Sequence, residues 1–286
     1  MTYIRSLVRG FATTATPTLR HLSTERLLRH WHEFGVKEGR SASPYALREN
    51  FVPLIRETNN ILEIGPFFRP IIAGEGVRYF DVLDQAQLRE RAAIFGEPID
   101  QIPAMDWVSP TGDLSIVDQK FDAVVSSHCI EHQPDLIDHL EKVADLLDPG
   151  GRYFLIIPDK RYCFDHFIPE TTVEKVNAAR GRKVHTLLSL IEHRAFTTHN
   201  DAARHWAGDH SDPGHWGSIH QRTATALREY EEAAGNYIDV HAWQFTPDSF
   251  SKVMTDLFEA RQIPLRLEDA YPTPQGRLEF CAVLTR

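Results

Sequence analysis

The stretch Ile61–Gly65 restricts the fold of this chain more than any other feature of its sequence. Ile61-Leu62-Glu63-Ile64 is a short apolar run typical of a strand, and Gly65 marks a sharp turn at its end. A second apolar run begins at Val77 and ends in Asp81. A strand, a glycine turn and a second strand ending in an acid form the skeleton of a nucleoside-binding half-sheet, because the acid can accept hydrogen bonds from ribose hydroxyls.

Helical patterns alternate with apolar runs along most of the chain, which predicts a mainly parallel α/β sheet covered by helices on both faces. The further predicted strands are 106–107, 121–127, 152–158, 264–271 and 277–284. The predicted helices are 23–39, 43–58, 85–95, 135–147, 171–195, 219–234 and one that starts at Pro247. The alternation stops between residues 159 and 242, so this segment is predicted to be an insertion at the substrate edge of the sheet.

These boundaries divide the chain into four parts. Residues 1–24 are expected to be a flexible tail, and 25–158 to contain the N-terminal helices and the first, ligand-binding half of the sheet. Residues 159–242 form a helical, His-rich insertion on the substrate side. Residues 243–286 supply the last helix and the closing strands of the same domain.

The composition is that of a soluble globular protein, with 42% hydrophobic and 25% charged residues. A net charge of −9 gives no basic field for nucleic acid, and no apolar run reaches the length of a membrane span. Three cysteines without a CxxC pair fit a reducing compartment. We expect a cytoplasmic protein, or an organellar one if the Arg-containing, acid-free residues 1–24 are a presequence. The oligomeric state stays open.

Five motifs in order resemble those of class I S-adenosylmethionine-dependent methyltransferases. They are Leu62-Glu63-Ile64-Gly65, Asp81, Asp106-Trp107, Phe121-Asp122-Ala123-Val124 and Leu147-Asp148-Pro149-Gly150-Gly151. Cys129-Ile130-Glu131-His132 also resembles the Glu-His pair that follows the fourth strand in one broad branch of the family. The resemblance implies a Rossmann-like, doubly wound, seven-stranded sheet with a helical insertion after the fifth strand, and S-adenosyl-L-methionine as the cofactor.

The same resemblance assigns cofactor-binding roles to individual residues. Gly65 would approach the methionine part, and Asp81 would accept the ribose hydroxyls. Asp106 would face the adenine amino group. The full expected set is Glu63, Gly65, Pro66, Phe67, Asp81, Val82, Asp106, Trp107, Ser127 and His128.

The glycine loop departs from the family pattern. The family usually has ExGxGxG, whereas Phe67 and Arg69 occupy the second and third glycine positions here. Bulky residues exclude a backbone path that only glycine can follow, and we expect them to narrow the pocket. The change argues more strongly against a nicotinamide-dinucleotide site than against a methyltransferase site, since GxGxxG needs its second glycine at the pyrophosphate.

Histidines supply the candidate catalytic groups. A neutral imidazole can take a proton from an acceptor hydroxyl as the methyl group is transferred. The candidates are His128, His210, His215 and His241, and the sequence does not rank them. Many histidines lie in the insertion, but their irregular spacing contains no HxH or HxxxH pair, so no metal site is predicted.

The expected function is methyl transfer from S-adenosyl-L-methionine to a small-molecule or glycan-type acceptor, at oxygen. The negative charge and the absence of an Asn/Asp-Pro-Pro-Tyr signature after the fourth strand argue against a nucleic-acid substrate. The altered glycine loop leaves one alternative, a catalytically silent protein that uses the same fold for binding or assembly.

Overall fold

A seven-stranded sheet organises the molecule, in the order β3-β2-β1-β4-β5-β7-β6. The computed structural model describes residue 26 and residues 43–286. The first five strands run parallel, and β7 pairs antiparallel with both β5 and β6. The predicted doubly wound, mainly parallel sheet with an insertion after the fifth strand is therefore confirmed.

The strands are β1 (Ile61–Ile64), β2 (Val77–Asp81), β3 (Trp107–Val108), β4 (Phe121–Ser127), β5 (Leu147–Pro158), β6 (Arg266–Ala270) and β7 (Glu279–Thr285). The α-helices are α1 (Arg48–Ile55), α2 (Gln85–Phe95), α3 (Leu136–Leu146), α4 (Val173–Ala178), α5 (Leu187–Ile191), α6 (Ala202–Trp206), α7 (Ile219–Ala233) and α8 (Pro247–Glu259). Short 3-10 helices cover Pro44–Ala46, Leu114–Ile116, Ile130–His132 and His215–Ser218, and Glu192–Phe196 is a π-helix.

Local sequence explains where the main helices begin. Asp84 caps α2 through a reciprocal capping box with Gln87, and Asp135 accepts the Asp138 N–H at the start of α3. Thr246 caps α8, whose first residue is Pro247. These starts match the predicted ones within one residue.

Alternating side chains of the strands feed two cores on opposite faces of the sheet. Leu62 and Val124 belong to the core under α3 and α8, whereas Ile61 and Val125 belong to the core under α1. All four residues of β1 are buried, as expected for a central parallel strand. The carboxyl ends of β1, β2 and β4 therefore open toward one edge, where the loops that follow them meet.

Two helix predictions differ from the structure. The helix predicted over 43–58 is split, because Leu47 is extended between the 3-10 turn and α1. The continuous helix predicted over 171–195 is wrong. It is broken between α4 and α5, where Gly181 has a φ of +81°, which an α-helix does not accommodate. The helix predicted over 23–39 and the tail 1–24 lie outside the described residues, apart from Arg26.

None of the helices in residues 43–286 combines the length and apolarity needed to cross a bilayer. The boundaries proposed at residues 158 and 242 stay a prediction.

Candidate functional site

The turn after β1 holds the first group of predicted cofactor residues. Gly65 has a φ of +67°, and its N–H bonds the Phe80 carbonyl at 2.8 Å. Phe67 has a φ of +50°, so it adopts the left-handed conformation despite its side chain. Its ring stacks on Phe68 with centroids 3.6 Å apart. The turn thus follows a left-handed path at the second glycine position, although a bulky residue was expected to exclude such a path. The Phe67 ring is accommodated by packing against Phe68. Pro66 is buried in the same turn, and its carbonyl accepts the Arg69 N–H.

Glu63 holds the segment that follows this turn. Its side chain is buried, and its carboxylate accepts the N–H groups of Ile71 at 2.8 Å and Ile72 at 3.3 Å. Burial raises the pKa of Glu63 to about 7, against the effect of these two hydrogen bonds. Glu63 thus ties the end of the loop back to the strand that begins it.

Asp81 ends β2 beside the same turn. It is only 5% exposed, and its Oδ1 accepts the Leu83 N–H at 3.1 Å. Burial raises the pKa of Asp81, opposed by the backbone N–H groups of Leu83, Phe67 and Val82. The participation of Phe67 means that the acid lies against the turn after β1, as a ribose-binding residue requires. Val82 itself is exposed.

Asp106 and Trp107 lie at the start of β3 instead of beyond its carboxyl end. Asp106 accepts the Tyr79 N–H at 2.8 Å, and Arg78 Nε lies 3.6 Å from its other oxygen. Trp107 packs edge-on against Phe121 and contacts the main core. Their adenine-binding roles stay a prediction, and the structure gives both side chains partners within the sheet.

Ser127 and His128 end β4 at the centre of the carboxyl edge. His128 has a φ of +50°, and its Nε2 lies 2.7 Å from Glu279 Oε2 on β7. Burial opposes the charged imidazole, but the hydrogen bond to Glu279 and the nearby Glu131 carboxylate raise the pKa of His128. Glu279 also pairs with Arg48 at 3.3 Å, and both line a cleft of about 570 Å³.

Glu131 lies in the 3-10 helix after β4, with no exposed surface. Neither of its carboxylate oxygens has a hydrogen-bond partner among the described residues. Three imidazole nitrogens surround Oε1: His128 Nδ1 at 3.8 Å, and His132 Nε2 and His241 Nε2 at 3.9 Å each. The structure therefore brings two of the four predicted histidines, His128 and His241, around one buried carboxylate.

A second carboxylate lies behind each of these imidazoles. His241 Nδ1 is 2.6 Å from Asp165 Oδ2, and His132 Nδ1 is 2.8 Å from Asp239 Oδ1. Burial, and then the charge of His132, lower the pKa of His241 to about 3. Burial raises the pKa of Asp165 to about 7. We name Glu131, His132 and His241, with Asp165 and Asp239 behind them, the Glu131 cluster.

One cation links the Glu131 cluster to the cofactor turn. Arg91 on α2 lies over the Phe67 ring at 5.1 Å and pairs with Asp239 at 3.5 Å. Asp239 in turn contacts His132. The two predicted parts of the site, cofactor turn and insertion, are thus joined through α2.

His210 and His215 lie elsewhere in the insertion. His210 stacks on His166 with centroids 3.7 Å apart, and its Nδ1 is 3.0 Å from that of His205. His215 Nε2 lies 3.2 Å from an Arg222 guanidinium nitrogen. Among the described contacts, none joins either residue to Glu131. Their catalytic roles stay predictions.

Sequence reasoning assigned no site role to five residues of this edge: Glu131, His132, Asp165, Asp239 and Glu279. The Glu-His pair at 131–132 was the only signal near the site, and it identified the family rather than a cluster. Asp165 and Glu279 come from distant segments, and Asp239 lies two residues before the predicted His241 without forming a known motif.

A family model described as a methyltransferase domain matches residues 36–239. No curated protein sequence matches the chain. Among solved structures, magnesium protoporphyrin IX methyltransferase (ChlM) from Synechocystis PCC 6803 with bound SAH is 11% identical, with 84% of this chain and 81% of that chain covered and a TM-score of 0.37. A proposed Zn-dependent alcohol dehydrogenase from Rhodobacter sphaeroides is 16% identical over 80% of this chain and 84% of that one, with a TM-score of 0.42.

The glycopeptide N-methyltransferase MtfA is 19% identical over 41% of this chain, with a TM-score of 0.29. The match spans 56% of the MtfA chain. These three likenesses are too distant to carry an argument about activity. The family model, in contrast, covers most of the sequence and includes the turn after β1, Asp81 and the Glu-His pair. The resemblance is therefore confirmed: the chain belongs to the methyltransferase-domain family.

Proposed function

We propose that this protein is an S-adenosyl-L-methionine-dependent methyltransferase that methylates an oxygen of a small-molecule or glycan-type acceptor. The observation that carries the proposal is Asp81, a buried carboxylate that ends β2 and lies against the left-handed turn after β1. The two oxygens of such a carboxylate can accept hydrogen bonds from the two ribose hydroxyls. Gly65, beside Asp81, leaves the backbone free of side-chain bulk.

We infer that the acceptor binds on the side of His128 and the insertion. His128 follows β4, and its side chain is 35% exposed, whereas that of His241 is 6% exposed. Only His128 of these two combines access from solvent with a carboxylate partner, Glu279. We therefore favour His128 as the general base that takes the acceptor proton, with residues 159–242 selecting the acceptor.

Calorimetric titration with S-adenosylhomocysteine tests the cofactor part. The wild-type protein is expected to bind it, and Asp81→Asn to bind about 10- to 100-fold more weakly, because charge-assisted hydrogen bonds contribute about 1.5–3 kcal/mol. Asp100→Asn, an exposed aspartate, is the matched control and should bind as wild type. Absence of binding by the wild-type protein would contradict the proposal.

A second candidate, a catalytically silent binding or assembly protein, is favoured by Phe67 and Arg69 at the glycine positions. Incubation with radiolabelled S-adenosyl-L-methionine and a panel of hydroxylated acceptors separates the two. Methyl transfer that disappears in Asp81→Ala would exclude the silent alternative. Binding of S-adenosylhomocysteine without transfer to any acceptor would favour it.

A further inference from the structure

The Glu131 cluster contains buried carboxylate oxygens that no hydrogen bond satisfies among the described residues. Both carboxylate oxygens of Glu131 and the Oδ1 of Asp165 are buried without a hydrogen-bond partner among the described residues. A buried carboxylate is costly unless it is paired or coordinates a metal. The groups that face Glu131 are imidazole nitrogens at 3.8–3.9 Å, which is too far for a hydrogen bond.

The orientation of the imidazoles indicates what occupies the gap. His132 and His241 each direct Nδ1 to an outer carboxylate, Asp239 and Asp165, and Nε2 toward Glu131. A histidine that binds a metal almost always donates its other ring N–H to a carboxylate, carbonyl or water, which fixes the ring and its tautomer. His241 forms one such hydrogen-bonded pair with Asp165, and His132 Nδ1 lies 2.8 Å from Asp239 but is buried without a hydrogen-bond partner among the described residues.

We propose that Glu131, His132 and His241 bind a divalent transition-metal ion, for which Zn²⁺ and Co²⁺ serve as test ions. The ligand atoms of these three residues lie within 4.8 Å of one another. Ligands of a tetrahedral Zn²⁺ ion are about 3.3 Å apart, given bonds of about 2.0–2.1 Å. The Glu131–imidazole separations of 3.9 Å therefore need to close by only about half an ångström.

The ligand types narrow the choice of ion. Two imidazoles and one carboxylate suit zinc, iron, cobalt or manganese better than magnesium or calcium, which prefer oxygen ligands alone. Three protein ligands leave one position open, as in catalytic zinc sites. His128 Nδ1, 3.8 Å from Glu131 Oε1, lies on the more exposed side of the cluster.

This inference does not depend on the proposed methyl transfer. If both hold, the bound ion would lie near the general base, where it would lower the pKa of an acceptor hydroxyl. Metal content and cofactor binding are measured separately, so either proposal can fail while the other stands.

The test measures metal in tag-free protein, because a histidine tag would bind zinc itself. After dialysis, elemental analysis should find about one equivalent of transition metal per chain. Chelator-treated protein should take up Co²⁺ with visible absorption bands that Zn²⁺ then abolishes. Glu131→Gln and His132→Gln should each lose this binding, and circular dichroism reports whether they fold. His132 has 25% of its side chain exposed, so its replacement perturbs packing less than that of Glu131.

Three further variants decide between this site and its rivals. Asp165→Asn should weaken Zn²⁺ binding about 10- to 100-fold without abolishing it, as expected of a residue that positions a ligand. His220→Gln, at an exposed histidine, should bind as wild type. His210→Gln removes a member of the His166, His205 and His210 group, whose ligand atoms also lie within 4.8 Å. Loss of zinc in His210→Gln with retention in Glu131→Gln, or no Zn²⁺ or Co²⁺ binding by wild type, would overturn the proposal.

Discussion

Glu63 and Glu131 are two buried glutamates at the same edge of one sheet, and their surroundings are opposite. Glu63 lies in β1 and accepts two backbone N–H groups from the loop that it organises. Glu131 follows the neighbouring strand β4 and accepts none from the described part of the chain, while imidazoles backed by carboxylates surround it. The carboxylate of Glu63 is thus satisfied by hydrogen bonds from the backbone of the chain itself. The second glutamate is arranged as an incomplete coordination shell, and it lies on the side where we propose that the acceptor binds.

Removal of metal should have the largest effect on stability, because it would leave Glu131 but not Glu63 without a partner. A ligand at about 1,000 times its Kd stabilises a protein by about 4 kcal/mol, so chelation should lower the Tm of the wild-type protein by roughly 10 °C. Scanning calorimetry with and without a chelator measures the shift.

Glu131→Gln serves as the control for chelation, since its Tm should not respond to the chelator. Identical wild-type curves with and without chelator would mean that Glu131 is neutralised by its imidazole neighbours alone.

The difference in pH-dependent stability between wild type and Glu63→Gln should report the protonation of Glu63 alone. Its folded pKa of about 7 exceeds its ordinary value of 4.5, so the folded state binds more protons than the unfolded state between these pH values. Stability contributed by this proton is complete below about pH 4.5 and is lost as the pH rises through 7, by roughly 3 kcal/mol. Denaturant unfolding of wild type and Glu63→Gln from pH 5 to 8 measures it: wild type should lose stability relative to the variant.

The exposed Glu57 provides the control for this measurement. Glu57→Gln should follow the wild-type pH profile throughout. Parallel profiles for wild type and Glu63→Gln would show that Glu63 stays ionised in the folded protein and that its two N–H donors outweigh its burial.

A crossed pair of variants should separate the two regions by function. Asp81→Asn should lose about 1.5–3 kcal/mol of S-adenosylhomocysteine binding and keep its affinity for Zn²⁺. Glu131→Gln should show the reverse pattern. Calorimetry with each ligand gives both values, and equal losses of both ligands in either variant would show that the regions form one cooperative unit through Arg91.

The smallest expected effect concerns Gly65, which contacts Cys129 across the two loops. A Cβ on Gly65 would lie 3.6 Å from Cys129 Sγ, an ordinary contact, so Gly65→Ala should cost only the roughly 1–2 kcal/mol of a left-handed residue. Gly96 has a φ of +70° with no atom near its Cβ position, which makes Gly96→Ala a matched control. Urea unfolding should give similar losses for both. A far larger loss at Gly65 would reveal steric pressure between the loops.

The sequence predicts the fold well because periodic patterns and capping residues are local signals. The starts of α2, α3 and α8 follow from Asp84, Asp135 and Thr246 at their N-caps. The break at Gly181 was missed because a single glycine within a polar segment does not distinguish a turn from a tolerated helical residue. Asp81 and Gly65 were predicted as cofactor residues because each adjoins a strand end, and in the structure Asp81 ends β2 and Gly65 follows β1.

The Glu131 cluster was not predictable in the same way. Asp165, His241 and Glu131 come from separate segments, and Glu279 reaches His128 from β7. Motif spacing records only residues that neighbour one another in the chain. His128, Glu131 and His132 share one segment and Asp239 and His241 another, so no single motif contains the cluster. The irregular spacing of the histidines in the sequence argued against a metal site. That spacing carries no information on which side chains lie close together in space around Glu131.

The sheet order has a consequence for synthesis on the ribosome. Within the described sheet, β6 pairs only with β7, although β6 is translated first. When β6 leaves the ribosome, β7 has not yet been made, and β5 does not pair with β6 in the sheet. The backbone N–H and C=O groups of β6 must therefore stay hydrated or be shielded by α8. Insertion of β7 then closes the gap and delivers Glu279 to His128 in one event. The His128–Glu279 contact thus forms late, after the turn that follows β1 has already been released and can fold.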